Sequence, residues 1–339
     1  MLGVLSADLG RERETLVELS RGRPLPAGSI TEASNLLAQT HLSSFRQLAE
    51  ECGSPDLIAV HGQTVFHAPP HSWQLINPWL IATVFDVPVV SDLRGRDLAG
   101  NGEGAPITPL SDHIWFGQAG LRQVVLNLGG FANATLLPGE DAQSGIEGFD
   151  ICACNHVLNA AARRALDRPF DDGGSVAARG VADEPLNARL VDLLAEQAAS
   201  GRSLGSQRDL MTDVFASTEL SPEDLLATAT HAVAAAIGER LKGLRPERLV
   251  IAGGGARNST LLRAIENLSG CGVVVSDELG MPVEAREAAA IATLGAVAAD
   301  GGSITLPAVT GRQQGGSHID GLWCLPKRIA DADGVWRPR

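Results

Sequence analysis

The chain has 339 residues, more than one hydrophobic core usually organises, so two domains are expected. Its formal net charge is −13 with no basic run, which excludes nucleic acid and anionic membrane surfaces as expected partners. Apolar residues reach 44% while aromatics are only 4% and tyrosine is absent, a composition suited to close helix-on-sheet layers and not to an aromatic carbohydrate platform.

Leu2–Leu5 and Thr15–Leu19 read as two short strands around the connection Ser6-Ala7-Asp8-Leu9-Gly10. Residues 30–51 then carry a helical apolar stripe, with Thr31 as N-cap and Gly53 as stop. A strand at 57–60, a loop punctuated by Pro69 and Pro70, a helix at 78–85 and a strand at 87–91 follow. This alternation predicts a layered α/β sheet. Pro106 is expected to open a connecting helix to about Trp115.

From Arg122 the pattern restarts, with strands at 123–127, 131–137 and 145–149 and a helix at 155–166. Helices are predicted at 186–198 and 222–241, the latter opened by Ser221 as cap and Pro222 at the first helical position. Strands 248–252 and 272–275 alternate with helices 259–268 and 284–299. The segment from Gly301 reads as loop, and 330–339 as a tail. The expected division is 1–105, with 306–339 packing back on it, and 106–305. No run of eighteen apolar residues and no leader-like N-terminus occur, so a cytoplasmic protein is expected.

Chemistry-bearing residues gather where strands end. Gly253-Gly254-Gly255-Ala256-Arg257-Asn258 lies between the apolar run Leu249–Ala252 and a helix, which suits either a nucleotide-binding turn or a plain structural corner. Three further strand ends carry His61-Gly62-Gln63-Thr64, then Asp92-Leu93-Arg94-Gly95-Arg96-Asp97 leading to Gly102–Pro106, then Asn127-Leu128-Gly129-Gly130-Phe131-Ala132-Asn133 with Gly148-Phe149-Asp150 beyond. Ligands of α/β proteins bind at such ends. Cys152, Cys154 and His156 share a face if extended, which admits a metal reading or simply free thiols in a reducing compartment. The acidic chain must meet any anionic sugar or nucleotide with local basic groups, backbone N–H groups or a metal ion.

In this order, together with Glu287-Ala288 and Leu306–Gly311, these motifs resemble the anhydro-N-acetylmuramic acid kinase family of the sugar kinase/actin superfamily over nearly the whole chain. The resemblance implies an α/β fold of two ribonuclease-H-like (actin/sugar kinase-type) domains around a central cleft. It also implies a homodimer, ATP and Mg2+, and hydrolysis of the 1,6-anhydro bridge of anhydro-N-acetylmuramic acid with phosphorylation of O6. By that match Asp150 is the base, although a solvated or N-capping aspartate ahead of the helix at 155 fits the same residues. His61, Gln63, Arg94, Arg96, Asp97 and Glu287 fall on the sugar side. Either arginine could fork a carboxylate or pair with Asp92 or Asp97, and Glu287 could instead serve a helix dipole. Asn127, Gly129, Gly130, Gly253, Gly254, Gly255 and Asn258 fall on the nucleotide side.

Four departures stand out. Ala7-Asp8-Leu9-Gly10 replaces the family's glycine-bearing phosphate loop, Ile151–Cys154 replaces Thr-Gly-Pro-Gly, Glu103 replaces a glutamine, and Ser203–Arg208 only loosely echoes Ser-Thr-Gly-Arg-Glu. A family member that binds sugar or nucleotide without phosphoryl transfer is therefore the alternative.

Overall fold

The computed structural model describes residues 1–139, 145–199, 214–216, 218–313 and 319–326; the Ser203–Arg208 motif and the 330–339 tail lie outside them. The protein is mixed α/β and divides into two units, Met1–Ser111 with Glu287–Arg339, and Asp112–Arg286. Among the described residues no helix is long and apolar enough to cross a membrane.

The first unit begins with α1 (Glu12–Ser20) and the long α2 (Ala27–Cys52), then β1 (Ile58–Ala59), β2 (Gln63–Ala68), β3 (His71–Leu75), α3 (Pro78–Phe85), β4 (Val89–Ser91) and α4 (Gly95–Ala99). Two of these differ from expectation. Residues 2–5 form no strand, and 15–19 lie in a helix. The reason is packing: Leu16 is buried against Ala33 and Leu37 of α2 and Val65 and Leu75 of the β2–β3 hairpin, an arrangement a helical stripe satisfies. Glu12 and Glu14 in the first turn also suit the helix dipole. Pro69-Pro70 is the tip of that hairpin, so the expected loop is two paired strands.

Helix α2 starts at Ala27, four residues before the predicted Thr31 cap, and Thr31 bonds back to the Ala27 carbonyl inside it. Its N-terminal half covers the hairpin. Its C-terminal half buries Ala38 and Leu42 against Ile58, Val60, Ile81 and Val89. Each fully buried aliphatic side chain of this kind contributes about 1.5–3 kcal/mol.

Helix α5 (Pro109–Phe116) opens at Pro109 instead of Pro106. Beyond it the second unit holds β5 (Gln123–Leu128), β6 (Phe131–Leu137), β7 (Glu147–Ala153), α6 (Asn155–Leu166), α7 (Glu184–Ala199), α8 (Pro222–Lys242), β8 (Arg248–Ala252), α9 (Ser259–Ser269) and β9 (Gly272–Val275). The sheet order is β7-β6-β5-β8-β9, with β5, β6 and β7 antiparallel and β8 and β9 parallel to β5. This is the ribonuclease-H-like arrangement. Every residue of β5 is buried, as a central strand covered on both faces requires. The buried Ala229, Ala232 and Ala234 leave α8 slim enough to lie on the sheet, and Ser221 caps it by accepting from the Asp224 N–H at 3.1 Å.

The chain then returns to the first unit through α10 (Arg286–Ala299), α11 (Pro307–Thr310) and β10 (Leu322–Cys324), which pairs antiparallel with β4 while β1 pairs parallel on its other side. Helix α10 belongs here because Gly295 rests on Ala59 and Val90; a Cβ on it would stand 2.5 Å from that of Ala59. The first unit's sheet is thus three-stranded, β1-β4-β10.

Candidate functional site

In the second unit Asn127 of β5 lies beside Ala252 of β8, so both strands deliver their carboxyl ends to the same edge. The two glycine turns that follow interlock there. A Cβ at Gly253, whose φ is +82°, would stand 2.5 Å from Asn127 Oδ1 and 3.0 Å from the Leu128 backbone, and one at Gly255 would stand 2.6 Å from Leu128 Cβ. The Gly129-Gly130 turn is held in its turn by α6: Gly130 O accepts from the Cys154 N–H at 2.9 Å and Gly129 O from the Asn155 N–H at 3.1 Å. Gly254 differs. It is exposed, and the nearest atom to its would-be Cβ is Asn155 Nδ2 at 4.0 Å. That open backbone leaves room for a ligand to approach, and the close-packed glycines on either side make the approach possible.

Asn258 caps α9 by accepting from the Leu261 N–H at 2.9 Å, which commits its side-chain oxygen to the helix. A neighbouring glycine pair escaped sequence reasoning. Gly173 and Gly174, both with positive φ, offer their carbonyls to Ser259 and Thr260 at 3.2 and 2.8 Å, and the Asp171 carboxylate ties the loop to the Val176 and Ala177 N–H groups. Adjacent glycines after two aspartates were the available signal.

These geometries make a paired prediction. Gly253→Ala should destabilise the protein by about 2–4 kcal/mol, from a left-handed φ plus backbone overlap. Gly254→Ala should stay within about 0.5 kcal/mol. Urea unfolding of both variants checks it, and equal effects would mean the turns are not interlocked as described.

Asp150 is exposed in the middle of β7, which runs further than the predicted 145–149 because Ile151, Cys152 and Ala153 continue into the core. Asp150 pairs with Asn133 and Cys152 with Ala132, leaving Ile151 as the extra residue of a β-bulge. A bulge shifts the alternation, so a solvent-facing carboxylate is followed directly by three buried residues; such bulges commonly re-aim active-site side chains. The capping alternative fails, because the residue preceding α6 is Cys154, four positions on.

Cys152 and Cys154 are buried free thiols, and His156 packs edge-on against Phe131 at 4.8 Å. Among the described residues no group of three or more His, Cys, Asp or Glu is placed to hold a metal ion. Burial, with the neighbouring Cys154 charge, raises Cys152 well above its ordinary range, and burial pushes the Cys154 thiol up to about 12. Neither should be alkylated by maleimide in the folded protein at neutral pH, and mass mapping of modified peptides reads this directly.

The sugar-side candidates of the first unit fall into two groups. His61, Arg94 and Glu287 come together: Arg94 Nε donates to His61 Nε2 at 3.1 Å, Arg94 Nη1 donates to Gly104 O at 2.8 Å, and the Glu287 charge acts on His61. Gln63 is exposed at the start of β2, where it donates to the Thr64 carbonyl. Asp97 and Arg96 take other work. Asp97 is 1% exposed and accepts from the Gly104 N–H at 2.8 Å and Thr310 Oγ1 at 2.7 Å, so it shapes the 102–104 loop from beneath instead of reaching a ligand. Arg96 pairs with the buried Asp320 at 2.5 Å and ties α4 to the returning segment.

Residues 7–10 require a correction. No strands flank them, and the Gly10 N–H donates to Glu12 Oε1 at 3.0 Å, with Thr40 donating to the same oxygen at 3.1 Å. The expected flanking strands are therefore absent, and the Gly10 N–H is already committed to a carboxylate of the chain itself.

The family model described as anhydro-N-acetylmuramic acid kinase matches residues 26–318, so residues 7–10 lie outside the match. A kinase of that name from Salinibacter ruber is 35% identical, over 87% of this chain and 82% of that one. One from Parasynechococcus marenigrum is 32% identical over 94% and 88%, and one from Burkholderia ambifaria is 39% identical over 70% and 65%. With a match that runs from α2 to past α11, the chain belongs to the anhydro-N-acetylmuramic acid kinase family.

Proposed function

We propose that this protein uses ATP to convert anhydro-N-acetylmuramic acid to N-acetylmuramic acid 6-phosphate, a reaction of peptidoglycan recycling. The observation that carries this is the family match over residues 26–318. In the reaction Asp150 takes the proton of the water that attacks the anomeric carbon, the bond from that carbon to O6 breaks, and O6 attacks the γ-phosphorus of ATP, whose bond to the bridging oxygen breaks so that ADP leaves. Magnesium-bound ATP, when present, supplies that group and neutralises part of its charge. Gly253–Gly255 with Asn127 and the Gly129-Gly130 turn admit the nucleotide, and Arg94, with Glu287 near it, receives the sugar and its carboxylate. On family grounds we place the protein in the cytoplasm as a homodimer.

One observation favours a second reading, binding without phosphoryl transfer. Residues 7–10 carry no strand and turn for phosphate, and the Gly10 N–H is already bonded to Glu12. Incubation with the anhydro-sugar, ATP and magnesium, followed by mass spectrometry, separates the two. The 6-phosphate product establishes the kinase. Sugar binding by calorimetry with no product, from folded protein in excess, establishes the binding protein.

A further inference from the structure

We infer that His61 is a positioning residue, a neutral imidazole that aims Arg94 at the carboxylate of the sugar without touching the sugar itself. The inference rests on the reading of Arg94 as the carboxylate's partner. Two bonds settle the form of the ring. Nδ1 lies 3.0 Å from the Gly62 carbonyl, which can only accept, so Nδ1 carries the proton. Nε2 must then be bare, as it has to be to accept from Arg94 Nε at 3.1 Å.

The same guanidinium is held from a second side by Gly104 O, and Gly104 is itself fixed by the buried Asp97, which Thr310 holds in turn. A fork pinned at Nε and one Nη is fixed in plane and direction, which is what bidentate recognition of a carboxylate needs. Gly62 matters to the same end. Its φ of +74° and a would-be Cβ 2.8 Å from the Leu75 carbonyl admit only glycine, so the backbone that orients the ring is built into the β2–β3 hairpin.

Protonation of His61 removes the acceptor and sets two cations against each other. Burial first, and the Arg94 charge second, hold the imidazole below its ordinary range, while Glu287 and Asp92 pull the other way. His67 is held below its ordinary range in the same way, by burial first and the Arg94 charge second. Because the competent form is the neutral one and its pKa is lowered, sugar affinity is full at neutral pH and falls as pH drops through that lowered value.

The test is calorimetric binding of anhydro-N-acetylmuramic acid, which needs no turnover, on the parent, His61→Ala, His61→Gln and Arg94→Ala, with 1,6-anhydro-N-acetylglucosamine as the probe lacking the carboxylate. His61→Ala should weaken the carboxylated sugar about tenfold or more and leave the other within about twofold. His61→Gln, with a side-chain oxygen to accept from Arg94, should recover most of the loss and abolish the weakening at acid pH. In the combined His61→Ala/Arg94→Ala variant the losses should not add. Arg94→Ala without effect on the carboxylated sugar would sink the reading of Arg94. Arg94→Ala with effect but His61→Ala without, or His61→Ala weakening both sugars equally, would overturn the positioning role.

Discussion

Asp150→Asn is expected to lower the rate of sugar phosphorylation by about 10²–10⁴-fold, the usual contribution of a positioned general base. The substitution keeps shape and volume and removes only the ability to take a proton. Asp150 is exposed on a bulged strand, so stability should stay within about 0.5 kcal/mol of the parent. Initial rates and urea unfolding on the same preparations separate chemistry from folding. A rate within tenfold of the parent would remove Asp150 from the role of base, because no other feature of the substitution compensates for a lost proton acceptor.

The largest stability effect is expected far from that carboxylate. Asp112, 1% exposed on α5, and Arg286, 4% exposed at the start of α10, form a buried ion pair across 174 positions of sequence. Arg286 Nε donates to Oδ1 at 2.9 Å, Nη2 donates to Oδ2, and Thr135 Oγ1 of β6 donates to Oδ2 at 2.6 Å. Asp112→Ala leaves a guanidinium without its countercharge in the interior and should cost about 3–5 kcal/mol. Asp112→Leu combined with Arg286→Met removes both charges and should recover most of that loss. Urea unfolding of the three proteins measures it. A single-variant loss below about 1 kcal/mol would mean that the charge finds other compensation. The pair also sits where the chain passes between its two units, at Ser111/Asp112 and Arg286/Glu287, so both crossings are fastened to the second unit by one interaction.

Much of the second unit was legible. Leu249–Ala252 and Val124–Leu126 are apolar runs too short for helices, each followed closely by glycine, and they lie in the parallel centre of the sheet. Ser221-Pro222-Glu223-Asp224 announced α8 because cap, first-turn proline and acidic start act locally. The N-terminal strands failed for the opposite reason. Thr15–Leu19 has strand-like composition, and only the presence of α2 and the hairpin beside Leu16 makes the helical stripe the one that buries it. The hairpin at 63–75 was hidden by Pro69-Pro70, which marks a turn but says nothing about whether the flanks pair.

By itself the sequence determined the family and the α/β alternation, and it named the candidate residues, since ordered motifs and local periodicity are properties of neighbours along the chain. Only the tertiary structure decided what each residue does. Asp97 and Arg94 are three positions apart in one motif, yet one carboxylate is sealed beneath a loop and one guanidinium is held by His61, because burial and hydrogen-bond partners come from segments up to 213 positions away. The tautomer of His61, the bulge that exposes Asp150 and the pairing of Asp112 with Arg286 depend on such distant contacts. Local sequence carries no signal of them: what fixes each group is the low-dielectric surroundings and donor geometry that exist only once the chain has folded.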